Sequence, residues 1–485
     1  MTKMPDCPAD QIKPFYDAII IGAGPAGMAA ALQLRALDLQ VAVLDEQERP
    51  GGQIYRGVAQ RVASPDGVAA AQGRRTSSGA HAAAHGARLI RSFLAAGADY
   101  FARSLVWSID HTGAIVVRQG QHSVRTGCCY LLIATGAQER PVAFEGWQLP
   151  GVLGVGAAQI MLKTANAVPD HPPVLFGSGP LLYLYACQCL EAGQRPLALL
   201  DTTTSEHRRA SLRHLPQAIS APAYLLRGLA LMARIRAARV PVYRQVESLV
   251  AIGQEHLERV EFKSRGQQHE LITNCLLSHH GVIPETRLLQ TLGIQCSWDA
   301  LGHYWRPQLD EWGQASIENI FVAGDGAGIG GALSAEYAAR ITALEIAHRL
   351  QRISRAERDK AAREWRRALQ RDLRVRAFIE ARYRVPATLL RPTPATLVCR
   401  CESVTATAIT AAIELGCAGP NQLKAFTRCG MGACQGRMCG PTIEAIMASE
   451  LQCSPEQIGR FRARTPVRPV SLAQLASVAA DASAE

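Results

Sequence analysis

No uninterrupted apolar run in this 485-residue chain is long enough to span a bilayer. The nearest candidate, AIIIGAGPAGMAAALQL, is broken by Gly-x-Gly-Pro and fits a strand, a turn and a helix better. Missing too is the basic-then-apolar build of a secretory signal, because the opening MTKMPDCPADQIKPFYD carries acids and prolines. Charge is not concentrated either. The net charge is +11, but arginine is scattered except in RISRAERDKAAREWRRALQRDLRVR at 352–376, so the one-faced footprint of a nucleic-acid-binding protein is absent. In that segment Trp365, Leu369 and Leu373 recur at helical spacing, which assigns most of its arginines to the solvent face of an amphipathic helix. What remains is a globular chain, 48% hydrophobic and 19% charged, of two or three domains. It is expected in the cytoplasm or peripherally at the inner membrane face, with no transmembrane segment and no nucleic acid as partner.

A disulfide framework is equally unexpected in such a chain, despite fourteen cysteines. Nine of them (Cys7, Cys128, Cys129, Cys187, Cys189, Cys275, Cys296, Cys417 and Cys453) are scattered, mostly in apolar contexts, and read as core thiols. Cys187 and Cys189 fall inside a helical stretch, where a C-x-C pair points to different faces. The other five cluster, in VCRCES and in RCGMGACQGRMCG. Four thiolates suit a zinc ion or an iron–sulfur cluster. C-x-C is too tight for the usual zinc knuckle but spans two corners of a two-iron cluster, and Gly430, Gly432, Gly436 and Gly440 let backbone amides turn toward the sulfurs. A [2Fe-2S] cluster is therefore expected. Cys429–Cys434 and Cys434–Cys439 are both C-x₄-C, so spacing alone leaves open which pair completes Cys399 and Cys401.

The strongest motif is YDAIIIGAGPAGMAAALQLRALDLQVAVLDEQ. An apolar strand leads into Gly22-Ala-Gly24-Pro25-Ala26-Gly27, a helix follows to about Leu37, and a second strand, Val41–Leu44, ends on Asp45. This is a complete dinucleotide-binding βαβ unit. Gly22 permits the turn, Gly24 the approach of a pyrophosphate, and Gly27 the packing of helix on strand. The free amides of the helix start face the phosphates, and Asp45, 21 residues after Gly24, is placed to accept the ribose hydroxyls. A second such unit, PPVLFGSGPLLYLYACQCLEAGQRPLALLD, keeps Gly177, Gly179 and the acid Asp201 but carries Leu182 where the third glycine belongs. Leucine there pushes helix from strand or fills the cofactor's space, which leaves this unit a different nucleotide or none. Residues 56–84 read as a loop and helix start near the entrance to the first nucleotide site, and 205–237 as helical, broken near Pro222.

Two further stretches, LLIATGAQERP with Thr135-Gly136 and IFVAGDGAGIGGALSAEYAARITAL with Gly324-Asp325, join the first motif in resembling the two-dinucleotide-domain flavoproteins that include thioredoxin and glutathione reductases. The resemblance implies an α/β, Rossmann-like fold followed by a small, mainly α iron–sulfur domain, with FAD as cofactor. Asp325 would then accept from a ribityl hydroxyl, and the helix starting near Gly330 would aim its positive end at the flavin's pyrimidine edge. PGGQIY at 50–55 matches the family's flavin loop with Gly52 and Gln53, and Glu46 and Val106 are carried over as further cofactor contacts. Neither unit has a C-x-x-C beside it, so dithiol chemistry of the thioredoxin-reductase type is not expected.

The expected organisation is an FAD-binding domain at 15–140 plus 276–350, a second nucleotide-like domain at 141–275, a helical linker at 351–395, the cluster domain at 396–455 and a tail at 456–485. The stretch from Cys399 to Pro441 resembles the bacterioferritin-associated-ferredoxin type of [2Fe-2S] domain, in the form ending G-M-G-x-C-Q-G-R-x-C that is fused to certain bacterial flavoproteins. That resemblance implies Cys399, Cys401, Cys434 and Cys439 as ligands, with Cys429 a free neighbour. Taken whole, LDEQERPGGQIYRG, LPGVLGVGAAQIMLK, GSGPLLYLYA, HHGVIPET and the cysteine module resemble the FAD-containing α subunits of heteromeric amine dehydrogenases: opine oxidases, D-hydroxyproline dehydrogenase, hydrogen cyanide synthase and dye-linked proline dehydrogenase. The group implies a β subunit of D-amino-acid-oxidase type that oxidises the C–N bond, a small γ subunit in some members, FMN at the subunit interface in some, and a quinone or respiratory-chain acceptor. No catalytic residue is assigned here; the resemblance places His279-His280 on a structural turn. A stand-alone NAD(P)H-dependent flavin/iron–sulfur reductase is the alternative.

Overall fold

The computed structural model describes residues 11–62, 80–110 and 113–482. Cys7, and residues 63–79 of the stretch expected as a loop and helix start, lie outside the described residues. The apolar run at the start folds as the strand Phe15–Ile21, which is buried from Ala18 onward, as a central parallel strand covered on both faces must be. It pairs in parallel with Val41–Leu44 on one side and His122–Ile133 on the other. Asp99–Phe101 and Ile320–Val322 extend this parallel sheet outward. The front half of His122–Ile133 joins an antiparallel meander with Ile115–Gln119 and Ser104–Ile109. Against the sheet lie the helices Pro25–Arg35 and Ala332–Arg349, packed together through buried alanines such as Ala29, Ala30, Ala339 and Ala343. Small side chains there let the two helix axes, and so their two N-termini, come close.

The second unit is a five-stranded parallel sheet in the order Val242–Arg244, Ala198–Asp201, Val174–Ser178, Leu276–His280, Val152–Gly154, with the antiparallel strands Val246–Ile252, Arg259–Ser264 and Gln267–Ile272 beside it. The sequence division ended this unit at 275. The strand Leu276–His280 pairs on both of its edges inside the second sheet, so the unit runs through 280.

The linker contains the helix Arg355–Leu373, opened by a Ser354/Glu357 capping box. Its Ala362, Trp365 and Leu369 pack on Trp312, Ile341 and Leu344, while Leu373 stays exposed. Most of its arginines face water as expected; Arg358 is buried and bonds Glu345 at 2.5 Å. The helix Arg376–Arg382 then crosses onto the second unit, packing on the helix Ser205–Leu212. The cysteine module follows, a short hairpin (Leu397–Cys399 with Val404–Thr405) and the helices Ala406–Glu414, Pro420–Thr427 and Gly440–Glu450. The tail is a strap returning to the first unit: Val467 N donates to Trp107 O at 3.0 Å, and Ser123 N donates to Ser477 Oγ at 2.9 Å.

Candidate cofactor sites and the contact between them

The first glycine loop is built for close approach. Gly22 has φ +105°, and a Cβ there would lie 2.5 Å from the Ala134 carbonyl oxygen. The loop Gly51–Gly52 rests directly on it: Gly51 N donates to Ala23 O at 2.8 Å, and a Cβ at Gly52 would come within 2.9 Å of the Gly24 Cα. The helix Pro25–Arg35 opens at Gly24 with no side-chain cap and with Pro25 in its first turn. Its first amides are left for an anion. Ala26 and Gly27 are buried behind them.

Thr135 and Gly136 follow the strand end that touches this loop, through Ala134 N donating to Ile21 O at 2.9 Å. Gly136 O accepts from Glu285 N at 2.9 Å. Asp325 sits in the turn Gly324–Gly326, where its Oδ1 accepts from both Gly330 N and Gly331 N at 2.9 Å. The adjoining helix begins at Ala332, two residues later than expected, and its N-terminus is also uncapped by a side chain. Gln53, Tyr55, Asp325, Gly330 and Gly331 are among the residues that line a cavity of about 1870 Å³. Val106 is buried in the strand Ser104–Ile109.

The two adjacent acids take different parts. Asp45 is buried, and both its oxygens are engaged by backbone: Oδ2 accepts from Ala23 N at 2.5 Å and Oδ1 from Gln47 N at 2.7 Å. Burial, opposed by those two hydrogen bonds, raises its pKa above the ordinary carboxylate value. The carboxylate expected to receive a ribose thus braces the glycine loop from behind. Glu46, its neighbour, is exposed; it pairs with Arg468 from the tail at 3.3 Å and accepts from Gln47 Nε2 at 3.2 Å.

In the second unit Leu182 is fully buried with Val155, Leu175 and Leu199 and fills the space under the helix Pro180–Glu191. Its acid is occupied too. Asp201 Oδ1 accepts from Thr203 N at 2.8 Å and Oδ2 from the Tyr183 hydroxyl at 3.0 Å. Tyr383, from the linker, stands 6.2 Å from the Tyr183 ring, and its carbonyl accepts from Ser178 Oγ at 3.3 Å. Cys187 and Cys189 are both buried, one against the Leu231 carbonyl and the other near Tyr185 and Cys275. His279 and His280 are the last residues of the strand Leu276–His280, not a turn. His279 Nδ1 is paired with Glu139 at 2.6 Å, and burial, reinforced by His279 and Arg140, pushes His280 down to about 3.

The module at the carboxyl end brings all five clustered thiols together. The sulfurs of Cys399, Cys429 and Cys439 lie within 4.8 Å of one another, buried. Cys434 is within hydrogen-bond reach of Cys439 on one side and of the exposed Cys401 on the other. Soft thiolates at this mutual spacing fit a two-iron cluster. Cys434 and Gly436 belong to a loop that abuts the first unit: Gln138 Nε2 donates to Arg437 O at 3.3 Å. Gln138 itself is two residues beyond Gly136. From the other side, Trp147 Nε1 donates to Leu397 O at 2.6 Å and Arg400 covers the Trp147 ring. Sequence reasoning found the cysteines and the glycines but not these contacts, which join residues more than 200 positions apart and leave no local mark.

Comparison with known proteins places this geometry. Residues 16–359 match the pyridine nucleotide-disulphide oxidoreductase family, and residues 397–449 match the BFD-like [2Fe-2S] binding domain. The chain is 42% identical over 480 residues to an opine oxidase subunit of Agrobacterium tumefaciens (strain Ach5), covering 96% of this chain and 93% of that protein. It is 31% identical over 477 residues to the hydrogen cyanide synthase subunit HcnB of Pseudomonas aeruginosa, covering 96% and 99%. Among solved structures, L-proline dehydrogenase from P. horikoshii superimposes with a TM-score of 0.65 at 17% identity, over 95% of this chain and 79% of that one.

Proposed function

The chain belongs to the pyridine nucleotide-disulphide oxidoreductase family, in the group that contains these opine oxidase subunits and HcnB, and from that premise we propose that it is the electron-transfer subunit of a heteromeric amine dehydrogenase or oxidase. The observation that carries the reading is the seating of the cluster loop on Gln138, two residues from the flavin-site glycine Gly136. Bound FAD supplies two-electron chemistry and a bound [2Fe-2S] cluster one-electron chemistry. The chain's own residues hold and separate these groups. The uncapped amides after Gly24 take the pyrophosphate, Asp45 holds the loop in shape, and Asp325 fixes the turn before the helix Ala332–Arg349, whose positive end favours negative charge on the ring.

For the ribose we assign Glu46 in place of Asp45, because only Glu46 has a carboxylate reachable from the loop's surface. Glu46→Ala should weaken FAD retention roughly ten- to hundredfold, in line with loss of a charge-assisted bond worth about 1.5–3 kcal/mol. Asp45→Asn should act through stability, with its effect read in a melting curve of the apoprotein. Equal FAD affinity in Glu46→Ala and wild type would contradict the assignment.

The C–N bond would be oxidised in a partner subunit. No residue of this chain is assigned to that step, and the substrate class, an opine, D-hydroxyproline or a related amino acid, follows the relatives. The partner, of D-amino-acid-oxidase type, would cover the mouth of the large cavity, where Leu225, Leu229 and Met232 of the helix Pro222–Ala237 lie, with Leu226 and Leu229 exposed. Leu226→Asp/Leu229→Asp should lose the co-purifying subunit while keeping full flavin and iron content. The second reading, an NAD(P)H reductase, is disfavoured by the buried Leu182 and by Asp201 already held by Tyr183. The test of function is turnover: the purified chain alone should leave opines and D-hydroxyproline untouched, and co-expression with the genes beside it should restore activity. Full activity of the single chain would sink the proposal.

A further inference from the structure

Immediately after Cys439 begins the helix Gly440–Glu450, and its second turn carries Glu444, only 8% exposed. Trp305, from the strand Tyr304–Pro307 of the first unit, donates its Nε1 proton to Glu444 Oε2 at 3.1 Å. The other oxygen folds back toward the cluster end of the helix, 4.0 Å from where a Cβ on Gly440 would stand. Beside it, between the two modules, is a cavity of about 100 Å³ lined also by Gln138, Arg140, His303, Gln435 and Arg437. A space of that size, with these polar side chains on its wall, is large enough to admit water.

Most of the charges around Glu444 make their hydrogen bonds to other groups. Arg140 donates Nη1 and Nη2 to the carbonyls of His303 and Gly302, at 2.7 and 2.8 Å. Arg460 lies over the Trp305 ring and donates to Thr286 Oγ1 at 3.4 Å. Arg287 grips Glu285 with two bonds of 2.8 Å. Arg437 has a buried Nε without a partner. His303 is held neutral, burial first and then Arg384 and Arg140 pushing it down to about 3. On the neighbouring helices Glu414 and Glu456 are exposed, and Lys424 is tied to the Arg462 carbonyl. Among the described residues, Glu444 has no salt-bridge partner. Burial pushes Glu444 up to about 8, against the Trp305 bond and the two arginines, Arg460 and Arg140. A lone buried carboxyl of this kind costs stability unless it is neutral, and it lies five residues after Cys439 on the helix that this cysteine caps.

We propose that Glu444 is a redox-linked proton site: in alkaline solution, where it is ionised while the cluster is oxidised, its carboxylate takes up one proton from the water of this cavity as one electron from the reduced flavin reaches the thiolate-bound cluster, and gives it back when the electron leaves. One O–H bond forms, none between heavy atoms breaks, and solvent supplies the proton. The inference rests on the electron-transfer reading.

The test is a mediator titration of the cluster by electron paramagnetic resonance, in the full chain, from pH 6 to pH 10, for wild type and Glu444→Gln. Gln keeps the Trp305 hydrogen bond and cannot titrate. The wild-type midpoint potential should be level at low pH and fall above pH 8 toward about 59 mV per pH unit, the one-electron equivalent of a tenfold change in proton activity. Glu444→Gln should be level throughout, and should lose the infrared carbonyl band of a protonated acid. A level wild-type potential, or the same slope in Glu444→Gln, overturns the proposal. Mediators reduce the cluster whether or not the flavin does, so either outcome stands apart from failure of the electron-transfer reading, which a separate flavin-driven reduction reports.

Discussion

Cys434→Ser should purify colourless in the iron–sulfur region, with iron content near zero, whereas Cys429→Ser should keep its cluster. Both residues sit one C-x₄-C step from a partner, and the buried group of three sulfurs contains Cys429, not Cys434. The argument for Cys434 comes from the count of thiolates per iron. A two-iron cluster takes two thiolates on each metal. Cys401 has Cys434 beside it, while Cys399 has both Cys429 and Cys439. Exchanging Cys434 for Cys429 would crowd three sulfurs around one iron and leave Cys401 alone at the other. We therefore propose Cys399, Cys401, Cys434 and Cys439 as the ligands. Iron and sulfide analysis with visible absorption decides it; loss of the cluster in Cys429→Ser with retention in Cys434→Ser would reverse the assignment.

Gly27→Ala should yield a protein that carries no FAD. A Cβ there would fall inside the van der Waals radius of the Gly22 carbonyl oxygen, with the Ile20 side chain 3.3 Å away. The glycine loop and the helix Pro25–Arg35 would have to separate, moving the uncapped amides off the pyrophosphate position. The contrasting variant is Gly136→Ala. Its φ of +72° makes alanine strained by roughly 1–2 kcal/mol, yet a Cβ there meets nothing within 4 Å. It should fold less stably and still bind FAD. Flavin-to-protein ratios of the two purified variants check the pair, and retention of flavin by Gly27→Ala would contradict the geometry.

Much of this site was readable in the sequence because its determinants are local. Gly22 to Gly27 and the strands around them are a contiguous pattern in which every residue answers to its near neighbours, and Leu182 could be seen to block its loop for the same reason. Where two local choices are nearly equivalent, the pattern alone does not say which side chain turns inward. Asp45 and Glu46 are adjacent acids at the end of one strand, and which carboxylate turns inward depends on the register of Ala23 and Gln47 against it. The strand Leu276–His280 went to the wrong side of a domain boundary because a parallel strand's partners, here Val152–Gly154 and Val174–Ser178, lie about 100 residues or more upstream. Trp305 and Glu444 are the extreme case, two ordinary residues in their own segments that meet only when the cysteine module folds back onto the first unit.

The claim that electrons enter from an amine through a partner, and cross this chain from flavin to cluster, is tested most directly by one anaerobic experiment. The chain, co-purified with its partner subunits, is mixed with octopine, nopaline, D-hydroxyproline, proline, sarcosine or glycine, and separately with NADH and NADPH, while flavin absorbance and the reduced [2Fe-2S] resonance are followed. The account predicts that one amine bleaches the flavin and raises the cluster signal, and that neither nicotinamide does. Bleaching by NADH or NADPH without any amine would contradict it and return the second unit to service as a nucleotide site.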